Sequence, residues 1–427
     1  MPESATPGSV APASASRWGF GLSAGGARKR HPPAAQGYVP RFGRQSTRML
    51  LRLLEHAPIH GRGCFSMLGS IEIRAGLAAL VALAAVLLAG PRSIAWLARH
   101  CQEPNRSDSP TIRRLHAHKQ TTPTLGGLII LGGLLLALLA FGDLTNHSLQ
   151  AALVVLIGLG MLGALDDLIK LRGGSNGISA RSKLLGQLVV AALAATIVCA
   201  ATPDLGSRRV AVLGISAPLG MWLVPGTVIF VAGFSNAVNL TDGLDGLAGG
   251  CLVSTLAVLG LAAYASHQAA PAPLFGRIPR VDAGETMVLV AATIGSLLGF
   301  LRFNRHPARV FMGDTGALPL GGLLGLLAVV TGHERLLLLV GGVFVAEVAS
   351  VILQVGYYKW RRRRIFLCAP LHHHFQFLGW PEPTIVARFW AVSALLALFG
   401  LGMLAMSGGS FSGGAVPLSG VGLFPNR

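Results

Sequence analysis

Apolar stretches about as long as a bilayer is thick recur along most of this 427-residue chain. An α-helix needs about 20 apolar residues to cross the hydrocarbon core of a membrane. Only 12% of the residues are charged, whereas a soluble domain usually has about 25%, so most of the chain cannot face water. The sequence therefore predicts an all-α, polytopic integral membrane protein. Its ten predicted spans are residues 75–97, 125–141, 148–165, 184–202, 220–235, 246–265, 286–302, 315–331, 335–357 and 386–406.

The net charge of +18 is typical of a nucleic-acid-binding protein, but cationic loops beside membrane helices explain it better. We therefore expect the lipid bilayer as a partner, and no nucleic acid. Five cysteines lie far apart with no CxxC pair, a pattern that fits neither a disulfide framework nor a zinc site.

The loops after spans 1, 3, 5, 7 and 9 hold most of the lysines and arginines between spans. Because cytoplasmic loops carry the excess of positive charge, these five loops are predicted to face the cytoplasm, with both termini outside. The same loops contain polar clusters that composition does not explain. They are residues 118–127, 166–167, 236–246, 303–314 and 370–374. Their placement on one face of the membrane predicts a single site there.

The carboxylates of these clusters are the residues that could hold a cation. Asp166 and Asp167 are adjacent and would repel one another without a shared cation or proton. Asp242 and Asp245, three residues apart, would share a helix face. Two nearby asparagines add neutral oxygen ligands, and the combined set suits a hard cation such as Mg²⁺. These asparagines are Asn236 and Asn239. A solvated helix boundary is the plainer interpretation of the aspartate pair taken alone.

Other polar residues also have plain alternative interpretations. Asp314, next to a glycine in a predicted loop, could be a turn residue, and Lys119 could simply follow the charge bias. Residues 372–374 are three histidines, and consecutive loop residues cannot easily all face one ion. Phosphate contact or proton transfer is therefore favoured over zinc. Glu347 lies inside span 9, where an acid is a functional candidate. Its only polar neighbour along the chain is Ser350, which favours a structural role.

Together these groups offer carboxylates for a metal ion, and lysine and histidine for anionic oxygens. Phosphoryl transfer needs little else, because positioning and charge neutralisation supply most of the rate. The GxGxxG match at residues 158–163 is not a dinucleotide loop, because it lies inside a predicted span with no strand before it.

Three motifs are highly specific in combination. They are Asn239 to Ala248 (NLTDGLDGLA), Phe311 to Asp314 (FMGD), and the triple histidine followed by Gly379-Trp380-Pro381-Glu382. In this order they resemble the polyprenyl-phosphate N-acetylhexosamine-1-phosphate transferases, from about Met49 to about residue 406. The histidine tract is most similar to that of members using UDP-MurNAc-pentapeptide. The resemblance implies transfer of phospho-MurNAc-pentapeptide from this nucleotide to undecaprenyl phosphate, giving lipid I and UMP with Mg²⁺, at the inner face of the bacterial cytoplasmic membrane.

The resemblance also implies roles for individual residues. Asn239 and Asp314 match metal ligands, and Asp166 matches the base that deprotonates the lipid phosphate. Phe311 matches an aromatic residue that stacks on uracil. The matched catalytic positions are Asp166, Asp167, Lys119, His372, His373 and His374. The matched substrate-binding positions are Thr124, Asp242, Leu244, Asp245, Asn304, Phe311 and Gln354. A homodimer, and the choice between direct attack and a phospho-enzyme, are left open.

Two other functions compete with this one. A sister transferase uses UDP-GlcNAc, but its histidine loop has a different pattern. A transporter could also have ten spans, although transporters place polar groups near the bilayer midplane. The aspartates of this sequence instead fall at predicted helix ends on one face.

The chain is predicted to have three parts. Residues 1–48 are rich in Pro, Gly, Ala, Ser and Arg without apolar periodicity, which predicts a disordered basic extension. Residues 49–410 form the transferase domain, and 411–427 form a flexible tail. The resemblance begins near Met49, and a basic segment outside the membrane opposes the charge bias. We therefore expect translation from Met49; the alternative is a lineage-specific extension that binds anionic surfaces.

Deleting residues 1–48 should leave membrane insertion and formation of a lipid-linked product intact. Mass spectrometry of the native protein should find no peptide from before Met49. Detection of such peptides, or loss of activity on truncation, would contradict this prediction.

Overall fold

The computed structural model describes residues 70–101, 121–172, 177–201, 209–212, 215–268 and 283–409. Helices make up most of this part of the chain, which confirms the all-α prediction. They are α1 (Ile71–His100), α2 (Gly127–Phe141), α3 (His147–Leu171), α4 (Ala180–Ala200), α5 (Leu219–Thr241), α6 (Leu247–Gln268), α7 (Ala283–Asn304), α8 (Asp314–Thr331), α9 (Glu334–Val340), α10 (Gly342–Arg361), α11 (Leu371–Phe377) and α12 (Glu382–Gly409). An antiparallel hairpin, β1 (Arg209–Val212) and β2 (Ile215–Pro218), precedes α5. The predicted extension 1–48 and tail 411–427 lie outside the described residues.

Each of the ten predicted spans corresponds to a helix or a pair of helices. Among the described residues, eight helices are long and apolar enough to cross a membrane, and α9 with α10 makes a ninth candidate. Helix α2, with 15 residues, is shorter. The protein is therefore a multi-pass membrane protein. The sequence did not predict that span 9 is bent by 79° between α9 and α10, at Gly341.

Helix α8 lies at the centre of the bundle, and its residues from Asp314 to Val330 are all buried. It packs chiefly against α3 and α5. Gly321 and Gly325, one turn apart, face α5, where a Cβ on either would overlap the α5 backbone. Such spaced small residues let membrane helices approach closely, because lipid supplies no hydrophobic drive between them.

A partly buried ion pair holds the end of the bundle where α1 begins. The Arg74 guanidinium donates to Glu285 Oε2 at 2.6 Å and to the Phe141 carbonyl at 2.7 Å. The Asp143 backbone N–H donates to the same Glu285 oxygen at 3.0 Å. This pair ties the start of α1 to the end of α2 and the start of α7. The polar clusters of the predicted site lie at the opposite end of the bundle.

The glycines of the GxGxxG match are packing residues of α3. A Cβ on Gly158 would lie 2.8 Å from Val190 of α4, and one on Gly160 would lie 2.8 Å from Leu131 of α2. A Cβ on Gly163 would overlap the backbone carbonyl of Asp314. Gly163 therefore lets α3 meet the start of α8, one turn before the aspartate pair of α3.

Gly163→Ala should destabilise the protein and reduce its activity, because the overlapped atoms are backbone atoms that cannot rotate away. Overpacking of this kind typically costs about 1–3 kcal/mol. Gly132→Ala in α2 is a matched control, since a Cβ there meets no heavy atom within 4 Å. Thermal unfolding in detergent should show a lower midpoint for Gly163→Ala only. Equal midpoints for the two variants would contradict this account of the packing.

Candidate active site

Backbone hydrogen bonds join the segment before α2 to the segment before α8. The Phe311 N–H donates to the Pro123 carbonyl at 2.8 Å, and the Gly126 N–H donates to the Phe311 carbonyl at 2.9 Å. This pairing brings buried Thr124 beside Gly313. Gly313 has a φ of +70°, and a Cβ there would lie 2.8 Å from Thr124 Oγ1. A glycine is thus required where these two polar clusters meet.

Asp167 caps the N-terminus of α8 from the neighbouring helix α3. Its Oδ1 accepts from the Asp314 N–H at 3.1 Å. Its Oδ2 accepts from the Thr315 N–H at 3.0 Å and from the Thr315 hydroxyl at 2.6 Å. The first N–H groups of a helix have no partner within the helix, and the positive end of its dipole favours an anion. Asp167 therefore fixes the position of Asp314.

Asp166 and Asp314 share two lysines. The Lys170 ammonium lies 2.8 Å from Asp166 Oδ2 and 3.0 Å from Asp314 Oδ2. The Lys183 ammonium, from α4, lies 3.4 Å from Asp166 Oδ2 and also pairs with Asp314 Oδ2. The Ile178 N–H donates to Asp166 Oδ1 at 2.7 Å. Helices α3, α4 and α8 thus meet in one buried network of charges.

This network has the composition of a site for a hard cation. Asp166, Asp167 and Asp314 each offer an oxygen, and these oxygens lie within 4.8 Å of one another. Three negative and two positive formal charges leave one net negative charge when all five groups are ionised. Carboxylate oxygens are the ligands that Mg²⁺ prefers. The Asp167 oxygens accept three hydrogen bonds from α8, and Asp166 accepts from the Ile178 N–H and pairs with both lysines. Asp314, which pairs with the two lysines, is therefore the carboxylate best able to take a cation.

The prediction that Asp242 and Asp245 share a helix face is wrong. Helix α5 ends at Thr241, and residues 242–246 form a turn before α6. Gly246 in this turn has a φ of +78°, a left-handed conformation that a continuous helix does not contain. Burial, followed by the neighbouring negative charges of which Asp314 is the strongest, raises the pKa of the Asp242 carboxyl well above its usual range. Asp242 therefore takes up a proton readily unless a cation is near.

Asp245 lies in a second polar network beside this turn. Its Oδ2 accepts from the Ala308 N–H at 3.0 Å and lies 3.2 Å from His306 Nδ1. Its backbone N–H donates to Glu382 Oε1 at 2.7 Å. Asn304 is buried, with its amide oxygen accepting from Gly246 N–H at 3.1 Å and its amide nitrogen donating to a carbonyl. These bonds anchor the turn to α7 and α12.

Of the other predicted nucleoside-pocket residues, Leu244 is 3% exposed and packs in the apolar core, whereas Phe311 is half-buried. Asn239 is half-buried on the last turn of α5. Asn236, considered as a second neutral ligand, instead donates its amide to Gln187 at 2.7 Å and to the Ala232 carbonyl at 2.8 Å. The lysine predicted at position 119 lies outside the described residues.

The three histidines are on the short helix α11 rather than on a loop, and their side chains point to different partners. His372 Nδ1 lies 3.2 Å from Glu347 Oε1, and His373 Nδ1 lies 2.8 Å from Gln376 Oε1. His374 Nδ1 accepts from the Leu367 N–H at 3.2 Å. Successive helical side chains diverge by about 100°. This divergence agrees with the expectation that the three do not face one ion.

Gln354 holds the backbone that leads to α11. Its amide oxygen accepts from the Ile365 and Phe366 N–H groups, each at 3.0 Å, and its amide nitrogen donates to the Phe366 carbonyl at 3.1 Å. The side chain thereby fixes the segment between α10 and the histidines.

The titratable residues of these networks that were not among the predicted site residues are Lys170, Lys183, His306, Glu347 and Glu382. Lys183 could not be distinguished from the other lysines and arginines of the basic loops by sequence alone. Glu347 was noted as an intramembrane acid for which a structural role was favoured; in the folded protein its carboxylate lies against His372. Glu382 stood within the Gly-Trp-Pro-Glu motif, but nothing local indicated that it bonds to the Asp245 backbone.

Lys183→Met should slow the reaction of this site without unfolding the protein, because α4 keeps its other contacts. Removing the ammonium leaves Asp166 and Asp314 with one cation fewer. We expect a loss of about tenfold to a hundredfold in turnover, as for other groups that support a reactive centre. Arg181→Met, at an exposed position two residues earlier, is the control. Wild-type turnover in Lys183→Met would show that Lys183 does not contribute to the reaction.

Known proteins resemble this chain along most of its length. The family model for Glycosyl transferase family 4 matches residues 149–332. The phospho-N-acetylmuramoyl-pentapeptide-transferase of Solidesulfovibrio magneticus is 43% identical over 340 residues, which cover 78% of this chain and 93% of that protein. The protein of the same name from Granulibacter bethesdensis is 43% identical over 346 residues, covering 80% and 95%.

A helical membrane bundle with this carboxylate–lysine site, in a chain with these relatives, is a glycosyl-phosphate transferase. More narrowly, the chain belongs to the phospho-N-acetylmuramoyl-pentapeptide-transferase family.

Proposed function

We infer that this protein transfers phospho-MurNAc-pentapeptide from UDP-MurNAc-pentapeptide to undecaprenyl phosphate, giving lipid I and UMP in the bacterial inner membrane. The observation that carries the proposal is the shared network of Asp166, Asp314, Lys170 and Lys183 in a member of this family. It gathers carboxylates and ammonium groups at the end of membrane helices, as a reaction between a soluble diphosphate and a membrane phosphate requires.

In the proposed reaction, an oxygen of the lipid phosphate attacks the phosphorus that bears the sugar. The bond from that phosphorus to the UMP oxygen breaks, and UMP leaves with the bonding electrons. Asp166 accepts the proton of the lipid phosphate, which leaves the attacking oxygen fully charged. Lys170 and Lys183 balance the negative charge that accumulates as the two phosphates meet. Most of the rate in such transfers comes from positioning and charge neutralisation.

A Mg²⁺ ion fits this site, because its nearest donors are carboxylate oxygens within one another's reach. Asp314 and Asn239 are the proposed ligands. When bound, the ion would polarise the phosphoryl oxygens and orient the diphosphate. Lys119 and Thr124 are proposed to bind the substrate from the segment before α2. His373 and His374 are proposed to close the site from α11.

The nucleoside is proposed to lie at the turn of residues 242–246. Phe311 offers a half-buried aromatic ring for stacking on uracil. Asp245 and Asn304 keep the turn against α7 and so shape this pocket. Gln354 is proposed to contribute by holding the segment before α11.

The site is proposed to face the cytoplasm. The loops that meet there hold most of the inter-span lysines and arginines, which favours the inner side of the membrane. The nucleotide is a soluble anion, whereas the polyprenyl chain needs only an apolar surface between helices. A site at the helix ends reaches both substrates.

The test is release of UMP by purified protein given undecaprenyl phosphate and either UDP-MurNAc-pentapeptide or UDP-GlcNAc. We expect release with the first nucleotide only, with both Mg²⁺ and the lipid required. Release with UDP-GlcNAc alone would favour the sister transferase. Absence of release with both nucleotides, together with flux of either across sealed vesicles, would favour a transporter.

A further inference from the structure

Glu347 is a wholly buried acid in the second turn of α10, within the bent span. A buried carboxylate is costly unless it is paired or hydrogen-bonded. Its Oε1 accepts from the His372 backbone N–H at 3.2 Å and lies 3.2 Å from Nδ1 of the same residue. The Ser350 hydroxyl donates to the Glu347 backbone carbonyl, so it does not neutralise the side chain. The ionic partner of this acid in the described part of the chain is His372.

The double contact fixes both the position and the protonation of the His372 ring. The backbone bond holds the first turn of α11 against α10, and the side-chain bond sets the rotation of the imidazole. A nitrogen that faces an ionised carboxylate carries the proton. The contact with Glu347 therefore favours the tautomer in which Nδ1 carries the proton. In that tautomer Nε2 is a hydrogen-bond acceptor.

The other ring nitrogen of His372 faces the turn that carries Asp242 and Asp245. Nε2 is buried and has no hydrogen-bond partner among the described residues. A Cβ on Gly243 would overlap Nε2, so the ring edge lies directly against this turn. A buried imidazole nitrogen without a partner is costly to keep. Its place beside the turn of the proposed nucleotide site indicates that a hydrogen-bond donor of the substrate supplies the partner, because an unprotonated Nε2 accepts hydrogen bonds.

We propose that Glu347 is a positioning residue that fixes His372 in the Nδ1-protonated state, with Nε2 directed to the 242–246 turn to accept a hydrogen bond from a hydroxyl or N–H group of the UDP-sugar. The proposal rests on the proposed function for the identity of the substrate. The geometry of the pair does not depend on it. Glu347 acts through His372 and is not itself in contact with the reacting atoms.

Glu347→Gln tests the pair without changing the size of the side chain. In protein labelled with ¹⁵N-histidine, signals absent from His372→Gln identify the His372 ring. We expect the Nδ1-protonated state in the wild type, and a population protonated at Nε2 alone in Glu347→Gln. Identical His372 signals in both would overturn the proposal, whether or not the protein acts on UDP-MurNAc-pentapeptide.

Kinetics separate positioning from simple support of the fold. Glu347→Gln should lower kcat by about tenfold to a hundredfold, with little change in KM for the nucleotide. The double variant Glu347→Gln/His372→Gln should be no slower than His372→Gln alone, because the acid acts through the histidine. Additive losses in the double variant would overturn the proposal.

Glu285→Gln is the matched control, since Glu285 is a partly buried, paired acid at the other end of the bundle. It should lower the thermal midpoint and leave kcat and the His372 signals unchanged.

If Glu347→Gln does not insert, Glu347→Asp keeps the charge but withdraws it by one methylene. The aspartate variant should show the same loss of kcat, and wild-type kcat in it would overturn the proposal. A wild-type protein that releases no UMP would refute the proposed function, while the ring signals would still decide the pairing.

Discussion

Asp314→Asn should abolish turnover, with the largest loss of any single substitution in the site. The change removes one negative charge from the carboxylate that pairs with both Lys170 and Lys183. The same carboxylate is the proposed ligand of Mg²⁺, which must be held against a diphosphate. UMP release measured across a Mg²⁺ titration should stay at background even at high Mg²⁺.

The protein should remain folded in this variant, because the backbone N–H of residue 314 still donates to Asp167. Asp143→Asn is the matched control, since Asp143 is a partly exposed aspartate at the far end of the bundle. It should have wild-type turnover. Near-wild-type activity in Asp314→Asn at limiting Mg²⁺ would remove Asp314 from the metal site.

Asp166→Asn should slow the transfer by about a hundredfold to ten-thousandfold, the usual contribution of a general base. The rate of the wild type should fall at low pH as its base becomes protonated. The rate of the variant should not fall at low pH in this way, because the asparagine side chain does not titrate. Binding of the UDP-sugar should persist, since the asparagine oxygen can still accept from the Ile178 N–H.

Asp167→Asn is an informative comparison, because it alters the neighbouring carboxylate that caps α8. Losing a cap typically costs about 0.5–2 kcal/mol, so its main effect should be a lower unfolding midpoint. An unchanged pH profile in Asp166→Asn would mean that Asp166 is structural or a metal ligand. Direct attack also predicts that no covalent intermediate accumulates in Asp166→Asn.

The membrane spans could be predicted because length and apolarity determine them almost alone. The bend at Gly341 could not, because α9 and α10 are both apolar and one glycine is common in membrane helices. The turn at Asp242 was mistaken for helix because its three-residue spacing also fits a helix face. The positive φ of Gly246 is a property of the folded chain, and an isolated glycine does not specify it.

The motifs identify candidate site residues, but they do not show which residues distant in sequence come into contact. Glu347 and His372 are 25 residues apart, and the bend of span 9 and the fold of α11 bring them together. Lys183 approaches Asp314 only because α4 packs against α3. Local sequence can identify groups capable of chemistry, but tertiary packing decides which of them meet.

The complete burial of α8 implies a distinct pattern of tolerance to substitution. On a helix that faces lipid, exchange among leucine, isoleucine and phenylalanine changes little, because acyl chains adapt to any apolar shape. Every side of α8 instead meets protein, so its residues are selected for volume, as in the core of a soluble domain. A mutational scan should therefore find α8 intolerant of changes in size that α12, with its many exposed apolar residues, accepts freely. Hydropathy alone marks both helices as candidate membrane spans and does not show which of them is buried.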